Sequence, residues 1–334
     1  MNIHETVSFL MQEGKGILAA DESNKSMNAR LHARGITESS EMRRAYRDLL
    51  LTTPHIEHYI SGVILYEETL RQSTLAGDTF PQHLKHKGIH VGIKVDQGLL
   101  DNPETPGEQY TDGLSGLDQR LLEYKKYGAS FAKWRAVFSV GNGLPTDADI
   151  TIDTKALSVY AINCIEAGIV PILEPEVLYE GAHHIDECEA AMRRVLTALY
   201  KELVVAEVDL GATILKTSMV LPGKDSGASV SYKEVAARTV AVLKDCVPHG
   251  VGGVVFLSGG QSALMATEHL NEMALIGPHP WPMTFSYSRA LQDVALDAWK
   301  GDEAHREDAQ RKFIHRLRMN ILARDGQYTA SLEK

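Results

Sequence analysis

The chain is poor in cysteine: Cys164, Cys188 and Cys246 are its only three, odd in number and far apart. That pattern argues against a disulfide framework and for reduced thiols in a cytosolic setting. Basic charge is in deficit too, with 34 Lys and Arg against 44 Asp and Glu and a formal net charge of −10. No concentrated basic patch interrupts the acidity, so nucleic acid and anionic membrane surfaces are excluded as partners. Uninterrupted apolar runs long enough to span a bilayer are absent. The start, Met-Asn-Ile-His-Glu, lacks the basic-then-apolar pattern of an export signal, which again points to the cytoplasm. No break in composition divides the chain. The Pro/Gly-rich stretches at 101–107 and 277–282 have the length of loops, not of interdomain linkers.

What the chain does have is a repeat of strand and helix signals. Short apolar runs rich in small or β-branched residues predict strands at 16–20, 60–66, 89–95, 129–135, 169–174, 212–217, 251–257 and 283–287. Helical periodicity falls between most of them, at 117–127, 154–167, 186–207, 232–246 and 260–275. Parallel neighbours need long crossovers, so strand followed by helix implies a parallel sheet. Some eight repeats fit a closed barrel better than an open sheet. The expected fold is α/β, a (β/α)8 TIM barrel formed as a single domain over 1–334. Helix 186–207 is long for a crossover and is expected to project. Residues 302–324 predict an external C-terminal helix, and 325–334 a frayed tail.

Barrel enzymes place their chemistry at the C-terminal ends of the strands. Those ends carry Asp21, then Lys94, then Lys133 with Arg135, then Glu174 with Glu176, then Lys216. Ser258 follows the seventh strand, and Ser286, Ser288 and Arg289 close the eighth. Side chains alternate faces along a strand, so Phe131, Lys133 and Arg135 share one face, as do Ile172, Glu174 and Glu176, and Ile214, Lys216 and Ser218. A lone lysine at a strand end is usually solvated, and a buried Lys–Glu pair can be purely structural. Charge at so many strand ends of otherwise apolar strands is different, because burying each ionisable group costs several kcal/mol (roughly) without pairing or function.

A buried amine near other cations loses its proton more readily and attacks carbonyls. Lys216, with Lys133 and Lys94 nearby, fits that description, although spacing alone leaves the choice among the three open. Glu174 could carry the protons of carbinolamine formation and dehydration. Ser258-Gly259-Gly260 at the start of a helix, with Arg289 beside it, offers backbone N–H groups and a cation to an anion. An amine nucleophile beside an anion pocket implies a phosphorylated carbonyl substrate. A metal fits less well. His183 and His184 share a polar loop with Asp186 and Glu187, without ligands spread over several strand ends, and His55, His58, His83 and His86 read as solvated loop residues.

The segments GILAADES (16–23), HVGIKVDQG (90–98), ASFAKWR (129–135), IVPILEPE (169–176), VVFLSGGQS (254–262) and MTFSYSRALQ (283–292) resemble those of the class I, Schiff-base fructose-1,6-bisphosphate aldolases of animals and plants. The resemblance covers nearly the whole chain in order. It implies that Lys216, in ATILKTSMV (212–220), forms the Schiff base, with Glu174 as proton shuttle. Asp21 would handle the C4 hydroxyl proton with Lys133 assisting, and Glu176 and Lys94 would position groups around them. Ser258, Gly259, Gly260, Ser286 and Arg289 would hold the C1 phosphate, and Ser26 and Arg30 the distal one. It further implies reversible cleavage of fructose 1,6-bisphosphate to two triose phosphates, no metal or other cofactor, and a homo-oligomer, commonly a tetramer.

The chain departs from that pattern at several positions. Lys25 stands where the family usually has Gly and Ala29 where it has Lys, and both flank the expected distal phosphate. Thr217-Ser218 replaces Pro-Asn, and Ser288 replaces Gly beside Arg289. The chain stops at Lys334, soon after Gln327-Tyr328-Thr329, where the family carries a tail ending in tyrosine that aids proton exchange; another group or water is expected in that role. Two other readings are open: a transaldolase-like or monophosphate-specific Schiff-base enzyme, and a non-catalytic scaffold on the same frame.

Overall fold

The computed structural model describes residues 1–334. Its strands are β1 (Gly16–Ala20), β2 (Ile60–Leu65), β3 (His90–Lys94), β4 (Gly98–Asp101), β5 (Gln109–Asp112), β6 (Ala129–Phe138), β7 (Val170–Val177), β8 (Ile214–Thr217), β9 (Val254–Phe256) and β10 (Met283–Tyr287). Its α-helices are α1 (Ile3–Leu10), α2 (Asn24–His32), α3 (Ser40–Leu51), α4 (Glu67–Arg71), α5 (Phe80–His86), α6 (Leu117–Lys126), α7 (Asp147–Glu166), α8 (Ile185–Val205), α9 (Tyr232–Cys246), α10 (Ala263–Leu275), α11 (Arg289–Trp299) and α12 (Arg306–Arg324). The strands close into a parallel barrel in the order β1-β10-β9-β8-β7-β6-β3-β2, as expected for a TIM barrel. No helix is long and apolar enough to cross a membrane.

The inside of the barrel is layered by the alternation of side chains along each strand. Ile17, Ala19, Ile64, Phe131, Val170, Ile172, Ile214 and Val255 form an inner apolar cluster with Val7, Leu10 and Met11 at the end of α1. One step further along the same inward faces stand Asp21, Lys133, Glu174 and Lys216. The fold thus seals one mouth with hydrocarbon and lines the other with charge. Phe131 fills the centre only because β2 and β3 carry glycine beside it. A Cβ on Gly92 would lie 2.2 Å from the ring, and one on Gly62 2.9 Å. Helix α1 is fixed at its start by a capping box, in which the Asn2 side chain accepts the Glu5 N–H and Glu5 accepts the Asn2 N–H.

Several expectations are corrected. β6 runs to Phe138 and β7 to Val177, beyond the expected limits of 135 and 174, since charged residues and Pro175 disguise their ends as non-strand. A short antiparallel hairpin, β4–β5, flanks the 101–107 loop and is not among the expected strands; its half-exposed strands carry no long apolar run. α8 does not project. Its Cys188, Ala191, Met192, Val195, Leu196, Leu199 and Leu203 are buried, a continuous stripe lying between α7 and α9. The external helix α12 is present, lying on α10 and α11, and the mostly exposed residues after it are held at one point. Tyr328 is buried, its N–H donates to Asn271 Oδ1 at 3.0 Å and its hydroxyl to Glu333 Oε1 at 3.0 Å. Glu333 is in turn paired with His315 and Arg316 on α12. A polar sequence hid one aromatic anchor and one carboxylate with three partners.

Candidate active site

At the C-terminal mouth of the barrel lies a cavity of about 850 Å³. Asp21, Ser26, Arg30, Lys94, Lys133, Arg135, Glu174, Glu176, Lys216, Ser258, Gly259, Ser286, Ser288 and Arg289 all line it. Residues from seven strand ends and two helices therefore converge on one space. Gly260 does not line it. It is next to Arg289: a Cβ there would lie 3.5 Å from the guanidinium, an ordinary contact distance.

The three lysines have different company. Lys133 Nζ lies 2.9 Å from Asp21 Oδ2 and 3.0 Å from Glu174 Oε2, the second contact lacking the alignment of a hydrogen bond. Lys94 is paired with the Asp96 carboxylate and also donates to the Asp96 carbonyl at 2.9 Å. Lys216 Nζ lies 3.0 Å from Glu174 Oε1, its one carboxylate neighbour. All of this is nearly dry: Lys133 and Lys216 are 3% exposed and Glu174 is 4%.

At Asp21, Glu174 and Lys133 burial opposes ionisation, and pairing overrules it. Against burial, Lys133, Lys216 and Lys94 hold the Asp21 carboxyl at about 2. Glu174 is held below the usual carboxylate range in the same way, by Lys133 and Lys216 against burial. Burial disfavours the Lys133 charge, but Asp21, Glu174 and Asp96 raise its pKa above that of an ordinary lysine. Lys133 is thus locked as an ammonium.

The two ends of the cavity differ as anion sites. At one end Arg289 makes no ion pair, the Ser286 hydroxyl is buried without a partner, and Gly259 and Gly260 take positive φ values of 55° and 93°. That turn is open only to glycine at low cost, and its Gly259 lines the cavity. At the other end Arg30 is bound to Glu22 and, at 2.9 Å, to Asp293 Oδ1. Ser288 faces that network as well: its hydroxyl donates to Glu22 Oε1 at 2.7 Å. Arg135 is paired with Glu176.

The sequence reading missed Glu22, Arg47 and Asp96. Glu22 accepts from Arg30, from Arg47 at 2.7 Å and from Ser288, and burial is outweighed by Arg47 and Arg30 so that its pKa is lowered. Asp96 could have been found, since it follows Lys94 by two residues on the same face of an extended segment. Arg47 lies on α3, and nothing local distinguishes it. His184, Asp186 and Glu187, expected in a loop, form the start of α8: Glu187 in its first turn accepts the N-cap His184 N–H at 2.7 Å, and Asp186 pairs with Arg238. Away from the cavity, ligand-type atoms of His55, Glu57 and His58 come within 4.8 Å of one another at the surface, although Glu57 is already paired with Lys87.

Comparison with known proteins places this geometry. A family model described as fructose-bisphosphate aldolase class-I matches residues 2–334. A probable class 1 fructose-bisphosphate aldolase of Xylella fastidiosa is 46% identical over 329 residues, covering 97% of both chains. The cytosolic fructose-bisphosphate aldolase 4 of Arabidopsis thaliana is 46% identical over 96% of this chain and 82% of its own. Among solved structures, a fructose-bisphosphate aldolase from Plasmodium falciparum, in complex with TRAP and a small-molecule inhibitor, superposes with a TM-score of 0.96 at 42% identity, over 98% of this chain and 95% of that one. On this fold, this cluster of strand-end charges and these full-length likenesses, the chain is a lyase that belongs to the class I fructose-bisphosphate aldolases.

Proposed function

We propose that the chain cleaves fructose 1,6-bisphosphate reversibly into dihydroxyacetone phosphate and glyceraldehyde 3-phosphate, with Lys216 as the amine that condenses with the ketose. The observation that carries the choice of Lys216 is the distribution of carboxylates. Lys133 is clamped between Asp21 and Glu174, Lys94 is tied to Asp96, and Lys216 has Glu174 alone. An amine must shed its proton to attack a carbonyl carbon, and Glu174 lies 3.0 Å away to receive it.

The steps then assign each group a task. Lys216 Nζ attacks C2 of the open-chain sugar; protonation through Glu174 lets the carbinolamine hydroxyl leave as water, forming an iminium. Asp21 takes the C4 hydroxyl proton, the C3–C4 bond breaks, and its electron pair moves toward the iminium nitrogen to give an enamine. Asp21 is held as a carboxylate by the neighbouring lysines, and the fixed charge of Lys133, 2.9 Å from it, stabilises the developing alkoxide. The aldehyde leaves, C3 is reprotonated, and water releases the ketone. Unpaired Arg289 with Ser258, Gly259 and Ser286 suits the C1 phosphate, and Ser26 with Arg30 the distal one. The same reading takes the chain as one domain, cytosolic like the Arabidopsis relative, and assembled as a homotetramer, which light scattering on the eluted protein would check.

Borohydride reduction with dihydroxyacetone phosphate should fix the label on the peptide containing Lys216, and Lys216→Met should abolish both label and cleavage. Label on Lys133 would reassign the nucleophile. Loss of activity to a chelator would overturn the Schiff-base route.

A further inference from the structure

The distal end of the cavity carries as many negative charges as positive ones. Arg30, Arg34 and Arg47 stand there against Glu22, Asp293 and Asp297. α11 presents Asp293 and Asp297 one turn apart. Asp293 Oδ1 accepts from Arg30 at 2.9 Å and from Arg34 at 3.2 Å, while Arg34 also pairs with Asp297 at 2.5 Å. Asp293 is not among the residues that line the cavity, whereas Arg30 is, so the ion pair joins a lining cation to a carboxylate outside the lining. Ala29, which does line it, contributes no charge of its own.

We propose that Asp293 is a specificity-determining positioning residue: it engages Arg30 from outside the lining and thereby sets how strongly the enzyme prefers a bisphosphate over a C1 monophosphate. This rests on the reading of Arg30 as the ligand of the distal phosphate. The tether is built to be released. When Arg30 swings toward an entering phosphate, Glu22 keeps Arg47 at 2.7 Å and the Ser288 hydroxyl at 2.7 Å, and Asp293 keeps Arg34. No buried carboxylate is stranded, so the phosphate competes with Glu22, which has other partners, and with the partly exposed Asp293, whose share is the one a single substitution removes. The opposite end has no such competitor, because Arg289 is unpaired and free for the C1 phosphate. The substrate class favoured by this arrangement is therefore a ketose carrying a C1 phosphate, with the distal phosphate recognised at a discount that Asp293 imposes.

The test compares fructose 1,6-bisphosphate with fructose 1-phosphate in Asp293→Ala and Asp293→Asn, the second of which keeps size and a hydrogen-bond acceptor if the first does not fold. KM for the bisphosphate should fall about two- to fivefold, the factor a partly exposed ion pair is worth. Its kcat and the KM for the monophosphate should not move, and Asp293→Glu should restore the original ratio. A bisphosphate KM that stays or rises, or a parallel shift for both substrates, overturns the tether. Arg30→Ala separates that failure from failure of the underlying reading. If Arg30→Ala leaves the bisphosphate-to-monophosphate ratio unchanged, Arg30 is not the distal ligand and the proposal falls with it. If the ratio collapses, adding Asp293→Ala to Arg30→Ala should have no further effect.

Discussion

Glu174 is shared between Lys216 and Lys133, with Oε1 3.0 Å from the first amine and Oε2 3.0 Å from the second. A carboxylate so placed can pass a proton on one side while a permanent ammonium steadies it on the other. Glu174→Gln preserves the shape and removes the proton carrier. Its kcat should drop roughly 10²- to 10⁴-fold, the range that a positioned acid–base group contributes. Steady-state kinetics with fructose 1,6-bisphosphate measures this, and a variant within tenfold (about 1.4 kcal/mol) of the parent would remove Glu174 from the proton route.

Lys133 neutralises two buried carboxylates at once, so its removal is expected to damage the fold as well as the chemistry. Lys133→Met leaves Asp21 and Glu174 facing a lost charge in a dry site. The cost should be about 3–5 kcal/mol of unfolding free energy, as for one partner deleted from a buried pair. The double change Lys133→Met with Asp21→Asn should recover part of it. Urea titration would show this, and a single variant as stable as the parent would mean that water reaches the pair.

Phe131 and Gly92 occupy adjoining strands so tightly that the ring would lie 2.2 Å from an added Cβ. Gly92→Ala should therefore lose about 1–3 kcal/mol through overpacking. Combining it with Phe131→Leu should cost less than the two changes added separately, since the shorter side chain vacates the contested space. Strict additivity in denaturant melts would refute the close approach.

Asp153 and Asp149 sit one turn apart on α7, both fully buried. Burial pushes Asp153 up to about 7, against the Thr111 N–H that donates to it at 3.1 Å and helped by Asp149. Asp149 is pushed up to about 6 by burial and Glu108. Between pH about 4 and about 7 an unfolded chain releases the Asp153 proton while the folded chain retains it, so stability declines as pH rises through that window. Asp153→Asn still accepts the Thr111 N–H and has no proton to lose. It should melt a few degrees (roughly) above the parent at pH 8 and no higher than it at pH 4. An equal gain at both values would tie the effect to packing instead of protonation.

Much of the site was legible because its signals are local. Lys133 and Arg135, or Glu174 and Glu176, declare a shared face by standing two residues apart on an extended chain. Asp96 obeys the same rule behind Lys94 and could have been read. Arg47 could not, because a helical arginine looks alike whether it faces solvent or Glu22. The fate of the last residues was hidden for a similar reason: Tyr328 is a polar-flanked residue until Asn271, 57 positions away, accepts its N–H.

The sequence by itself determined the barrel, since strand and helix periods are properties of neighbouring residues, and with it the kinds of charge set around the mouth. Only the closed structure decided which charge answers which. Arg30 and Asp293 lie 263 residues apart, and Lys133 meets Asp21 across the barrel. Coulomb attraction depends on separation in space, and no interval along the chain encodes that until the strands have taken their register.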